Sequence, residues 1–115
     1  FVTILCLFVC FATASAQMHV IDSLRAVINS SITAEKKLQA YVLLTGRLGT
    51  VSFNETIKIG EQGVALAQAQ KDSIALAQLT HYIGSAHYFK GDYEKAATLY
   101  YTSLGIFERY NQKKE

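Results

Sequence analysis

Histidine and cysteine are the side chains of this chain best suited to bind a metal or serve as nucleophile or base, and there are three and two of them. His81 and His87 lie six positions apart, about 240° around a helix, so they cannot share an ion from one face. His19 is remote from both, and neither Asp92 nor Glu94 stands at a ligand spacing from His81. Cys6 and Cys10 share one helical face, yet they stand inside an uncharged apolar run, where they read as filler rather than as a disulfide or metal pair. No serine sits in a G-x-S-x-G turn, and the glycine pairs Gly46/Gly49 and Gly60/Gly63 fall within helical patterns as small packing positions, not in a phosphate loop. No carboxylate pair is placed to face one cavity. The expectation is a chain without catalytic residues, metal or cofactor.

Tyr82, Tyr88, Tyr93, Tyr100 and Tyr101 form the remaining cluster of interest. They suit either a stacking platform for bases or sugars or a core stripe, and their helical spacing favours the core. Eleven Lys and Arg against nine Asp and Glu leave a formal charge of +2, too balanced to imply nucleic acid as a partner. Lys113-Lys114 after Arg109 reads as a solvated helix end that complements the negative pole of the helix dipole.

What would position any site is helical. With 115 residues there is room for one small domain, and the absence of proline, where average usage would give about six, removes the commonest helix breaker. The first charge is Asp22, and Val2 to Ala12 is almost wholly apolar before Ala14-Ser15-Ala16 and Gln17. An apolar run followed by an A-x-A pattern has the form of a secretory signal peptide over residues 1–16. A retained anchor is the alternative, although a span needs about 20 apolar residues and Ser15, Gln17 and His19 interrupt this one. Neither methionine nor a basic segment precedes Phe1, as in a fragment whose start is missing. Either way the chain is expected outside the inner membrane, exported, with the membrane met only through the leader or a later span.

Five helical patterns follow one another. Residues 17–33 hold a first helix, about 18 to 29, with Val20, Ile21, Leu24, Val27 and Ile28 at helical spacing, then a linker. Thr33 caps a second, striped by Leu38, Tyr41, Val42, Thr45 and Leu48. Ser52 and Glu55 have capping-box spacing at the start of a third. Asp72 or Ser73 caps a fourth that reaches about Phe89, and Asp92 caps a fifth after the break at Gly91. Links of about four residues favour antiparallel neighbours, and Asn111 to Glu115 reads as a further polar turn.

A shift of forty residues lays the third helix on the fifth. Phe53 meets Tyr93, Thr56 meets Ala96, Ile59 meets Leu99, Gly63 meets Ser103, Val64 meets Leu104 and Leu66 meets Ile106, with Gly60 against Tyr100 as the mismatch. Such a period is the signature of stacked helical hairpins. The run from Ile83 to Ala96 resembles the core of a tetratricopeptide repeat. Ile83 and Gly84 match the large and small positions of that family's helix A, Gly91-Asp92-Tyr93 its turn, and Ala96, Tyr100 and Ser103 its helix B. Gly84 and Ala96 would let the helices approach, with Tyr93 and Tyr100 filling the space around them. Thr80 stands where the family often has tryptophan and His87 where it has tyrosine, and the closing proline is absent.

The resemblance implies an all-α, right-handed solenoid of antiparallel hairpins. It would comprise an N-terminal helix, a degenerate repeat over 34–72 and a clearer one over 73–115. Tyr100, Tyr101, Leu104 and Phe107 leave the last helix apolar, so further repeats are expected beyond Glu115. In the family, helix A lines the groove where partner peptides lie, which points to Gln78, His81, Ser85 and Tyr88. The implied function is docking of proteins or peptides. A leader, a short helix bearing Asp22-Ser23-Leu24 and long-period repeats also resemble the periplasmic input regions of bacterial sensor histidine kinases and transcription regulators.

Overall fold

The computed structural model describes residues 2–30 and 33–114. Phe1, Ser31, Ile32 and Glu115, which belong to the expected leader, linker and closing turn, lie outside the described residues. Five helices follow in order: α1 (Val2–Asn29), α2 (Ala34–Leu48), α3 (Phe53–Gln70), α4 (Ser73–Phe89) and α5 (Tyr93–Lys114), with no strand among the described residues.

Each helix start has a local cause. The side chains of Thr33, Ser52 and Asp72 accept from the backbone N–H of Lys36, Glu55 and Ala75 at 3.3, 3.2 and 3.0 Å, satisfying donors that a first helical turn leaves free. Asp92 accepts from Lys95 at 3.4 Å. The reciprocal half of the capping box does not form at α3. The Ser52 N–H already donates to the Leu48 carbonyl at 2.9 Å, and the Glu55 carboxylate pairs instead with Arg25 on α1 at 3.4 Å. Two helix ends turn through left-handed backbone, at Lys71 (φ 56°) and Gly91 (φ 88°). Gly91 takes that conformation without the Cβ cost that Lys71 bears.

The segments expected as leader and first helix run as one continuous α1, the Ala-Ser-Ala-Gln-Met segment holding no glycine or proline. Two expectations need correction. Gly49 ends α2 rather than packing within it. Asn111 to Lys114 continue α5 rather than forming a turn.

Neighbouring helices pack on one another along the chain, and α2 also lies directly against α4. Small residues set these approaches. A Cβ at Gly60 would stand 2.6 Å from Cγ1 of buried Ile83, and one at Gly63 would stand 3.0 Å from Leu79 and from Tyr41. Gly84 admits Leu99 and Tyr100 of α5, while Ala96 is buried and Ser103 donates to the Ala77 carbonyl at 2.7 Å. The core has two parts. Ile21 of α1 joins Leu44, Leu48 and Ile59, and farther along the stack Leu38, Ala67, Ala75 and Leu79 cluster together. Residues at the forty-residue shift share burial where both helices have a neighbour, as with Thr56 and Ala96 or Gly63 and Ser103. They diverge at Val64 and Leu104, since only the former has a helix over it.

Candidate functional site

The direct approach of α2 to α4 leaves a cleft between their N-terminal halves, with a volume of about 390 Å³. Leu38, Val42, Ile74 and Ala75 give it an apolar floor. Leu43, Gln39 and Gln78 stand along its sides, and Glu35 and Asp72 close one end. Both carboxylates also serve their own helices, Glu35 in the first turn of α2 and Asp72 as the cap of α4. Apolar surface beside the Gln39 and Gln78 amides suits an extended polypeptide: the amides can both donate to and accept from a backbone, and the apolar surface takes side chains.

The four residues expected on the partner-binding face share one stripe of α4, but they do not share this cleft. Gln78 lines it. His81 tilts against Tyr100, ring centres 5.3 Å apart, and lies 6.1 Å from Tyr82. Ser85 accepts a hydrogen bond from the Tyr100 hydroxyl at 3.0 Å. Tyr88 stands at the far end of the helix, edge-on to Phe89 and Tyr93 at 5.5 and 5.2 Å. The stripe thus runs from the cleft past α5 to the α4–α5 turn. The α2 side of the cleft was missed by reading only the clearer repeat. A signal was present, since the forty-residue shift carries Gln78 onto Leu38, beside Gln39.

Comparison with known proteins finds no matching family model, curated protein or solved structure.

Of the residues taken as the repeat signature, Ile83, Gly84, Ala96 and Ser103 lie at helix contacts, and Gly91 and Asp92 make the turn. Tyr100 covers Gly84 with its ring, which accounts for its mismatch with Gly60: at the corresponding place on α3 it is Ile83 that fills the space. Tyr93 does not fill the space between α4 and α5. It is exposed, as are Tyr88 and Tyr101, so the core reading of the tyrosines holds only for the half-buried Tyr82 and Tyr100. The Tyr93 ring lies on the surface of the α4–α5 turn, edge-on to Tyr88.

His87 is the one histidine drawn inside. Its Nδ1 lies 3.8 Å from Oδ2 of Asp92, and its Nε2 is buried with no hydrogen-bond partner among the described residues. Burial pushes its pKa down and Lys95 adds to this, while Asp92 opposes; Lys90 lowers it and Glu61 raises it more weakly. Among the described residues no three His, Cys, Asp or Glu side chains gather where a metal ion could be held.

Proposed function

We propose that this chain is a protein-interaction module of an exported tetratricopeptide-like solenoid, taking an extended peptide segment along the inner face formed by α2 and α4. The observation that carries this reading is the cleft itself, apolar below, amide-lined at its sides and open to solvent. The alternation of contacts supports it: α2 touches α4, as inner-row helices of stacked hairpins do. Export is supported by the apolar N-terminal half of α1, which fits a signal sequence or an anchor. The test is display panning of a random peptide library against the whole chain held in detergent micelles. Enriched peptides should lose at least tenfold in affinity, about 1.4 kcal/mol, when exposed Leu43 is replaced in L43E. Peptides indifferent to that change, or no enrichment at all, would overturn the reading.

A second reading makes the chain the input region of a membrane-bound sensor, a histidine kinase or transcription regulator whose further repeats stack on α5. Leu104 favours it. This residue is exposed on α5, where the corresponding Val64 of α3 is half-buried against the cluster of Leu38, Ala67, Ala75 and Leu79. Reading the encoding DNA beyond Glu115 tests it: more forty-residue repeats, an apolar span and an output domain should follow, and a stop codon soon after would sink it.

A further inference from the structure

The apolar half of α1 and the largest exposed aromatic cluster occupy the same end of the helical stack. Gln17 donates to the Thr50 hydroxyl at 2.8 Å, and Ile21, one turn on, is buried against Leu44 and Leu48. Helix α1 therefore enters the stack at the end made by the 49–52 and 90–92 turns. Its residues 2–16 project beyond that end, rising about 22 Å. Large apolar side chains from Val2 to Phe11 are 59% to 77% exposed all round the helix, a surface that only hydrocarbon or a protein interior satisfies.

At the same end of the stack, Phe53, Phe89, Tyr88 and Tyr93 form a chain of rings with centres 5.6, 5.5 and 5.2 Å apart. They are 37%, 65%, 49% and 63% exposed, beside Val51 at 48%. Arg47 is exposed at the same rim, and so is Lys90, whose Nζ reaches Oδ1 of Asn54 at 2.7 Å. The carboxylates here are Asp92, which caps α5, Glu94 in its first turn, and Glu55 in the first turn of α3, which is paired with Arg25 at 3.4 Å. The opposite end exposes Lys71, Asp72, Ser73, Asn111, Gln112 and Lys113.

We infer that the end of the stack bearing α1 is a docking face for a phospholipid bilayer, with the apolar half of α1 retained as its anchor. Aromatic rings with a polar edge favour the headgroup layer, where one side is apolar and the other wet. Long cationic side chains reach phosphates there from an apolar stem. The unbroken helix at Ala16 and Gln17 makes the two features one device. Burial of residues 2–16 in hydrocarbon brings the ring-bearing rim down to the headgroups, and no flexible linker lets the stack drift away. The α2–α4 cleft, whose Glu35 and Asp72 lie towards the other end, then opens into the aqueous phase.

The whole chain, with Cys6 and Cys10 changed to serine, is reconstituted into vesicles of phosphatidylcholine and phosphatidylglycerol in equal parts. A spin label is placed at E94C near the rim or at Q112C at the far end. The label at position 94 should sit at headgroup depth, with several-fold less collision with a water-soluble nickel complex than the label at 112. Replacing Phe53, Tyr88, Phe89 and Tyr93 by serine, with helical circular dichroism unchanged, should return the label at 94 to water while the chain still floats with the vesicles. Equal water access at both labels, or no response to the serine changes, would overturn the docking face. Chain exported from bacterial cells and found by mass spectrometry to begin at Gln17 would overturn the retained anchor. Neither result bears on peptide binding in the cleft, which L43E tests separately.

Discussion

His87 brings a titratable ring into the interior, its Nε2 buried with no hydrogen-bond partner among the described residues. The neutral imidazole tolerates that site, whereas the imidazolium would lose hydration, with Asp92 at 3.8 Å and Glu61 as compensation and Lys95 and Lys90 opposed to it. Its folded pKa therefore lies below its unfolded value, about 6.5. The unfolded chain takes up this proton first as pH falls. The stability due to neutral His87 is thus complete above about pH 6.5 and declines between there and the lower folded value. Urea midpoints of the wild-type chain should fall between about pH 7.5 and 5.5, and those of H87F should change less over the same range. Parallel pH dependence in the two proteins would show that some other group carries the effect. The sequence marks His87 only as a departure from the tetratricopeptide pattern it resembles, which has tyrosine at that position. Its burial depends on how closely α3 and α5 each pack against α4, which the residue type does not reveal.

At the scale of the helices, two glycines separate packing from propensity. Gly60 in α3 meets Ile83 at a distance no Cβ tolerates, and Ile83 is itself held in the core. Overpacking of this kind costs about 1–3 kcal/mol, against a gain of about 1 kcal/mol in helix propensity for alanine over glycine. Gly105 in α5 has only Arg109 Nη2 nearby, at 3.8 Å. G60A should therefore lower the melting temperature and G105A should raise it, by an amount equivalent to about 1 kcal/mol; thermal circular dichroism reads both. A stabilising G60A would mean that α3 and α4 can separate at no cost. The same contrast explains what was legible. Caps at Thr33, Ser52, Asp72 and Asp92 need only neighbours in sequence, so their residue types announce them. A stripe of tyrosines announces a face, but not how far along the face the next helix reaches. Tyr93 and Tyr101 came out exposed for that reason, and the cleft wall contributed by α2 was visible only by comparing the repeats with each other.

For the molecule as a whole, α1 has two halves with different dependences, although its backbone passes between them without a break. Residues 2–16 touch little of the stack, while Ile21, Leu24 and Ile28 close the cluster around Leu44, Leu48 and Ile59. Removing residues 1–16 should leave the melting transition within about 0.5 kcal/mol of the full chain, because almost no buried apolar surface goes with them. Removing residues 1–29 strips the cover from Leu44 and Leu48, buried side chains each worth about 1.5–3 kcal/mol. The remainder should then melt far lower and with less cooperativity, or associate through the uncovered face, which gel filtration would detect. A 30–115 chain that stays monomeric and melts where the 17–115 chain does would show that α1 is an appendage and the fold begins at α2. If the two chains differ as expected, the second half of α1 is part of the fold. Any pull on the apolar half then bears directly on the Ile21–Leu44–Leu48 cluster, without a hinge between them to absorb it.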